Sequence, residues 1–161
     1  MKKLSYYIIP VMVHMAIVCV IAALMGISGI RTGYDSAAGM VLIAAGGISS
    51  ALWGALWQIR YNSRRVKDIV LDFFHIKADI KAYLLVLLFL VLDFVPVWFG
   101  GAALAKWYVM LLVFLRSLVF GGIEEIGWRY TFQPELEKGM PYIAATLLTF
   151  ICWGIWHFMF F

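Results

Sequence analysis

Four ionisable side chains near the end of the chain have the types and spacing of a hydrolytic site. Glu124 and Glu125 are adjacent, Arg129 follows four residues after the second, and His157 lies in a later apolar run. An ionised side chain in hydrocarbon costs about 2.5–3.5 kcal/mol on insertion scales. Side chains that are this costly to bury are expected to face a polar cavity and to act there.

Helix geometry separates the two glutamates. Glu125 and Arg129 are four residues apart with the glutamate first, which is the favourable order for an ion pair on one helix face. Glu124 points about 100° away on a helix of 3.6 residues per turn, and its own turn holds no cation. Arg116 shares its face but lies two turns back, too far for contact. We therefore expect the partner of Glu124 to come from another element.

His157 is the obvious partner. If the helices that carry the two residues form an antiparallel hairpin, residues equally distant from the turn lie at equal depth. The midpoint between Glu124 and His157 falls at 140–141, within the turn sequence Gly139-Met140-Pro141. At 1.5 Å per residue, each side chain lies roughly 25 Å along its helix from that turn. The sequence therefore predicts that the two side chains lie level.

These four ionisable residues allow several interpretations. A carboxylate and an imidazole that face each other in a cavity can activate a water molecule for hydrolysis. With a third and a fourth ligand, Glu124 and His157 could instead hold a zinc ion that does the same. In a purely structural interpretation, His157 makes an interhelical hydrogen bond, and Glu125 with Arg129 clamps two helices together.

The composition places these residues in a membrane protein. The chain has 161 residues, of which 65% are hydrophobic and 14% charged, and its mean hydropathy is +0.94. Soluble domains are about 45–50% apolar and about 25% charged. We expect an all-α, polytopic transmembrane helical bundle. The net charge of +4 does not indicate nucleic-acid binding, because the basic residues lie where membrane topology requires them.

Runs of about 20 apolar residues predict about five spans. They cover about 4–27, 37–59, 82–99, 105–125 and 142–161. The second run is rich in small residues that allow close helix approach, namely Gly46, Gly47, Ser49, Ser50 and Gly54. Pro134 is expected to kink the polar stretch before the last span. Cys19 and Cys152 lie inside apolar runs, where no disulfide is expected.

The segment 60–81 is the only substantial hydrophilic one. Its apolar residues recur at the spacing of one helix face among basic residues, and they are Val66, Ile69, Val70, Phe73 and Phe74. The pattern predicts a basic interfacial helix at the membrane surface, with a plain solvated linker as the alternative. Residues 1–104 thus form a region of N-terminal transmembrane helices that contains this segment.

Basic residues predict the orientation. The N-terminal tail and the segments 60–81 and 129–138 hold ten Lys and Arg residues, whereas the opposite side holds two. Because cytoplasmic loops carry the excess of Lys and Arg, we expect an integral membrane protein with a cytoplasmic N-terminus. Asp93 and Arg116 are further intramembrane charges on successive spans and could pair with each other. His14 and His75 are lone histidines, more typical of structural positions.

Three stretches of the chain resemble a known family. The stretches are 124–129, 133–136 and 153–157, and they resemble the first two motifs of the CAAX-protease and bacteriocin-processing (CPBP) family of intramembrane proteases. That family includes the type II CAAX prenyl endopeptidases. Its first motif is two glutamates with an arginine four residues after the second. Its second motif is an aromatic residue four positions before a histidine, here Trp153 and His157. The resemblance marks 105–161 as a partial CPBP protease domain.

The resemblance implies an intramembrane endopeptidase. Glu124 and His157 would activate the attacking water, and Glu125 and Arg129 would order the site. The family is often labelled metalloprotease, so zinc or another divalent metal on Glu124 and His157 is a further expectation. The implied substrates are peptides or proteins in the lipid bilayer, prenylated or bacteriocin-like, and the implied location is a bacterial plasma membrane.

The family's third motif is a histidine with an asparagine or similar residue four positions later, on a further helix. This chain ends four residues after His157, so we expect a C-terminally truncated form in which activity is doubtful. Two rival interpretations follow. One is a non-catalytic immunity or scaffold protein that uses the same charges to hold helices together. The other is a proton-coupled, transporter-like protein with Glu124 as the proton carrier.

Overall fold

The computed structural model describes residues 3–33, 35–74, 78–99, 114–115 and 121–159, with side chains only up to 92 in the third of these ranges. The described residues form helices joined by turns, and they contain no strand. The helices are α1 (Ser5–Ile27), α2 (Ala37–Asn62), α3 (Val66–Phe73), α4 (Ile80–Phe99), a π-helical turn (Trp128–Phe132), α5 (Gln133–Glu137) and α6 (Tyr142–Phe158). Residues 121–127 are α-helical and run into the π-helical turn; we call 121–132 the motif helix. The all-α prediction is confirmed.

Two of the predicted spans are long helices. The first, α1, and the second, α2, are each long and apolar enough to cross a bilayer. The third and fifth predicted spans appear as α4 and α6, helices of 20 and 17 residues. Most of the predicted span 105–125, the proposed Asp93–Arg116 pair and His75 lie outside the described side chains. The structure is therefore a helical membrane bundle, and five spans stay a prediction.

The second span is three residues longer than expected. The sequence pattern ends near Ile59, but α2 continues to Asn62 and stops where Ser63 adopts the left-handed conformation, with φ of 54°. The Asn62 amide donates to the Gln58 Oε1 one turn back, at 2.8 Å. This local bond and the left-handed cap explain why the polar end of α2 stays helical.

Small residues of α2 allow the close helix approach that the sequence predicts, and the structure shows that the partner is the motif helix. A Cβ added to Gly54 would lie 2.7 Å from the Gly127 Cα, and one added to Gly127 would lie 2.4 Å from the Ser50 carbonyl oxygen. The two backbones are therefore in direct contact, and neither glycine has room for a side chain. Gly47 does not take part, since a Cβ there would meet no described atom within 4 Å.

The core is an aromatic cluster of four rings shared by three elements. Tyr7 of α1 packs edge-on against Trp128 at 5.8 Å between ring centroids, and Trp128 meets Trp156 of α6 at 6.0 Å. Phe132 packs on both Tyr7 and Trp128. All four rings are buried. Such pairs add about 0.5–1.5 kcal/mol each beyond burial, so the cluster holds α1, the motif helix and α6 together.

The turn between the motif region and α6 lies where the sequence predicts it, at 138–141, and α6 begins at Tyr142. A π-helical turn ends at Phe132, two residues before Pro134, and the kink expected at Pro134 stays a prediction. Proline has no N–H, so in an α-helix the carbonyl four residues earlier would lack its donor. That carbonyl belongs to Tyr130, and the Gln58 side chain donates to it at 3.1 Å.

The basic segment 60–81 contains α3, an amphipathic helix of eight residues. Ile69 is buried against the bundle, whereas Val66, Val70 and Phe74 are exposed. The structure thus favours the helical interpretation over a plain linker. Cys19 and Cys152 are free thiols, as predicted.

Candidate active site

Hydrogen bonds from α2 fix the motif helix in place. The Ser50 hydroxyl donates to the Glu124 carbonyl oxygen at 2.9 Å, and the Gln58 amide donates to the Tyr130 carbonyl oxygen at 3.1 Å. The Thr131 hydroxyl donates to the Ile126 carbonyl at 2.9 Å within the π-helical turn. Ser50 and Gln58 are buried in α2, so their two bonds hold both ends of the motif in a fixed register.

Glu124 and His157 lie side by side, as the hairpin geometry predicts. The Glu124 Oε2 is 3.9 Å from the His157 Nε2. The two side chains are 19% and 33% exposed, respectively. They are thus partly shielded while remaining open to a small molecule. The proximity of these two groups is confirmed, and their catalytic roles remain a prediction.

The neighbours of His157 orient its ring. The imidazole Nδ1 lies 3.3 Å from the Trp153 carbonyl oxygen, one helical turn earlier. The ring packs against the Trp153 and Trp156 rings, at 4.2 and 4.8 Å between centroids. The Trp156 indole in turn donates to the Ser49 hydroxyl at 3.0 Å. Donation of Nδ1–H to Trp153 leaves the Nε2 lone pair directed at Glu124.

The 3.9 Å separation suits a shared water molecule. It exceeds a direct hydrogen bond between the two groups, which runs to about 3.2 Å. A water oxygen about 2.8 Å from both atoms would subtend an angle of about 88° between them. That angle is close to the angle between the two O–H bonds of water. One water can therefore donate to the Glu124 carboxylate and to the His157 Nε2 at once.

Glu125 and Arg129 form the predicted ion pair. The Arg129 Nε lies 3.4 Å from the Glu125 Oε2, and the side chains are 53% and 47% exposed. Arg129 also donates to the Gln133 side-chain oxygen. The Gln133 amide donates to Glu137 at 2.8 Å and to Thr146 of α6 at 3.2 Å. The guanidinium is thus held by groups on both sides of it along the helix.

The second glutamate borders a different space from the first. A cavity of about 130 Å³ lies between the motif helix and α6. Its lining residues are Glu125, Trp128, Arg129, Thr149, Phe150 and Trp153. Glu124 and His157 are not among them. The Glu124 carboxylate therefore lies beside His157, whereas the Glu125 carboxylate borders the cavity, as the 100° separation predicts.

The described residues do not complete a metal site. No group of three or more His, Cys, Asp or Glu side chains within the described ranges is arranged to hold a metal ion. Catalytic zinc takes three protein ligands and a water, whereas Glu124 and His157 supply two. A divalent metal at these residues therefore stays an expectation that needs further ligands.

Sequence reasoning missed the residues that support the site. Ser49 and Ser50 were named only as small residues of the second span and not as hydrogen-bond donors or acceptors, and neither Gln58 nor Gln133 had an assigned role. Polar side chains within an apolar span are themselves a signal, because burial requires that they find partners. For Gln133, the signal is its spacing of four residues from Arg129.

Comparison with known proteins agrees with the motif interpretation for the last third of the chain. A protein-family model described as type II CAAX prenyl endopeptidase Rce1-like matches residues 105–161. No curated protein and no solved structure matches the chain. The family match supports a CAAX-protease type of protein associated with a membrane. Residues 105–161, which carry Glu124, Arg129 and His157, are therefore similar to the type II CAAX prenyl endopeptidases.

Proposed function

We propose that the protein is an intramembrane endopeptidase that hydrolyses peptide bonds with a water molecule activated by Glu124 and His157. The observation that carries the proposal is the 3.9 Å approach of the Glu124 carboxylate to the His157 Nε2 across two helices. The family match over residues 105–161 supports the same class of reaction.

In the proposed reaction, Glu124 is the general base. It takes a proton from the water as the water oxygen attacks the peptide carbonyl carbon. The Nε2 of His157 accepts a hydrogen bond from the other O–H of the water. This bond directs the lone pair of the water oxygen toward the peptide carbonyl carbon. The carbon–nitrogen bond then breaks, and the proton moves from Glu124 to the leaving amine. The bond from the His157 Nδ1 to the Trp153 carbonyl keeps the ring in place throughout.

Glu125 and Arg129 act as ordering groups in this proposal. Two adjacent ionised carboxylates repel each other, which would oppose ionisation of the base. The Arg129 guanidinium, 3.4 Å from Glu125, offsets the second negative charge. Arg129 thereby lets Glu124 act as a base beside another glutamate.

The finer features follow the motif resemblance, except for the orientation, which follows from the distribution of Lys and Arg residues. The substrates are peptides or proteins presented at the bilayer, prenylated or bacteriocin-like. The protein lies in a bacterial plasma membrane with its N-terminus in the cytoplasm. Any zinc or other divalent ion would use Glu124 and His157 together with ligands beyond them.

The test is cleavage of a fluorogenic membrane peptide by the full-length protein in lipid nanodiscs. Glu124→Gln and His157→Gln should each lower the turnover about 10²–10⁴-fold, the usual contribution of general acid–base groups. Asp35→Asn, which alters an exposed carboxylate paired with Arg31, is the matched control and should retain turnover. Retained cleavage in the Glu124 and His157 variants would refute the proposal.

Two other outcomes would point to the rival functions. If the variants lower the amount of folded protein while no preparation cleaves the peptide, a scaffold or immunity role is supported. If Glu124→Gln abolishes flux that depends on a pH gradient instead, a proton-coupled transporter is supported. Each outcome is read on the same purified proteins.

A further inference from the structure

The short helix α3 carries apolar side chains on the side that faces away from the protein. Ile69 is 4% exposed and faces the bundle, whereas Leu71 is 57% exposed and Phe74 after the helix is 68% exposed. Successive positions rotate by about 100°, which places Val66, Val70, Leu71 and Phe74 on one outward side. Apolar groups of this size gain free energy when they leave water. Contact with an apolar partner would therefore stabilise the outward side of α3.

Two exposed cations lie on α3 and near the end of α2. Lys67 falls in the middle of the outward side of α3 by helix geometry, and Arg60 lies at the end of α2. Arg64 and Arg65 already have carboxylate partners, Asp72 at 3.5 Å and Asp68 at 3.0 Å. Within the described ranges, neither Lys67 nor Arg60 is in an ion pair. The Arg60 guanidinium lies 6.0 Å from the centre of the Tyr61 ring, a contact that leaves its charge without a counter-ion, so both positive charges are available to an external anion.

The location of α3 selects the partner. It begins four residues after the end of α2, a helix long and apolar enough to cross a bilayer, so it lies near the level of the headgroups. Apolar side chains with interspersed lysine and arginine are the pattern of helices that lie on an anionic bilayer surface. The stem of Lys67 can follow the apolar side while its ammonium reaches a phosphate.

Two contacts join α3 to the motif helix. The Tyr130 hydroxyl donates to the Asp72 carboxylate at 2.7 Å. The Phe73 ring lies against Gly122, where an added Cβ would be 3.2 Å from its Cζ. The contacts lie on either side of Glu124 and Glu125 along the motif helix. A displacement of α3 would therefore change the contacts of the motif helix at both ends of the motif.

We propose that α3 docks on anionic phospholipid headgroups through Lys67, Arg60 and its outward apolar side, and that this docking holds the motif helix in place through Asp72 and Tyr130. The lipid contact does not depend on the proposed peptidase function. It makes the charge of the surrounding leaflet a determinant of how rigidly the motif is held.

Binding is tested by titrating the full-length protein in neutral detergent with phosphatidylglycerol or phosphatidylcholine and following its thermal unfolding. Phosphatidylglycerol should raise the Tm more than phosphatidylcholine. Each of Lys67→Gln and Arg60→Gln should weaken the phosphatidylglycerol effect about fivefold in lipid concentration, as expected for one cation at an anionic surface. Arg31→Gln, which alters an exposed cation after α1, should leave it unchanged.

Coupling is tested by hydrogen exchange over residues 121–132. Phosphatidylglycerol should slow exchange there in the original protein but not in Tyr130→Phe, which keeps the ring and loses the bond to Asp72. The Tyr130 variant should still show the Tm difference between the two lipids. Equal effects of the two lipids, or unchanged titrations in both cation variants, would overturn the docking. Equal slowing of exchange with and without the Tyr130 hydroxyl would overturn the coupling.

Discussion

Substitution of Gly127 by alanine is the sharpest test of how the site is positioned. A Cβ at this position would lie 2.4 Å from the Ser50 carbonyl oxygen, 2.5 Å from the Tyr7 hydroxyl oxygen and 2.6 Å from the Ser50 carbonyl carbon. Carbon atoms in contact are normally about 3.5–4.0 Å apart. Because two of the three obstructing atoms are backbone, the motif helix itself has to move, by about 1 Å.

The size of the effect follows from that displacement. Overpacking a tight contact costs about 1–3 kcal/mol. A shift of about 1 Å would also stretch the 2.9 Å bond from Ser50 to the Glu124 carbonyl, which is worth about 0.5–1.5 kcal/mol. We therefore expect a destabilisation of about 2–4 kcal/mol. Misplacement of a catalytic group by about 1 Å can lower turnover about 10²-fold.

The assay is equilibrium unfolding of the full-length protein in detergent, together with cleavage per folded molecule. Gly47→Ala is the matched control, because a Cβ there meets no described atom within 4 Å. It should be neutral, or stabilise by up to about 1 kcal/mol through helix propensity. If Gly127→Ala and Gly47→Ala have the same stability and turnover, close packing of Gly127 does not position the site.

Three further predictions concern groups around the motif helix. Tyr7→Phe should unfold at the same or a higher temperature, because the Tyr7 hydroxyl is buried with no hydrogen-bond partner among the described residues, and a loss above about 1 kcal/mol would contradict this. Gln58→Leu should destabilise by about 1–3 kcal/mol in denaturant unfolding, because it orphans the Tyr130 carbonyl. Burial, and then the bond to Asp72, raise the pKa of the Tyr130 phenol above 10.0, so the stability it provides is complete below about pH 10 and is lost as pH rises further. A difference ultraviolet titration against Tyr130→Phe should show this late-ionising phenol, and Asp72→Asn should shift it to lower pH.

Features that depend on nearby residues could be predicted from the sequence. The Glu125–Arg129 pair follows from a spacing of four on one helix, and the turn at Gly139–Pro141 follows from local residue types. The approach of His157 to Glu124 required one assumption, an antiparallel hairpin, after which depth follows from counting. These predictions succeeded because helix geometry is regular over the distances involved.

Features that depend on distant partners could not be predicted in the same way. Five small residues mark the second span, but only the folded structure shows that Gly54 contacts Gly127 while Gly47 faces open space. The bond from Gln58 to the Tyr130 carbonyl joins residues of two helices whose relative rotation is set by that contact. Spacing along one helix carries no information on rotation relative to another, so these partners stay hidden in the sequence.

The contact between Gly127 and α2 decides which glutamate serves the proposed site. A shift of one residue in helix register rotates every side chain by about 100°, which would turn Glu125 toward His157 and Glu124 away. The close backbone approach excludes that rotation, because any other residue of the motif would bring a side chain into the gap. Glu124 and His157 should therefore act as one unit. In a double-mutant cycle of Glu124→Gln and His157→Gln, the double variant should be about as slow as the slower single variant, as for groups that share one reaction step. If the two losses multiply, the residues act independently and the shared-water mechanism is wrong.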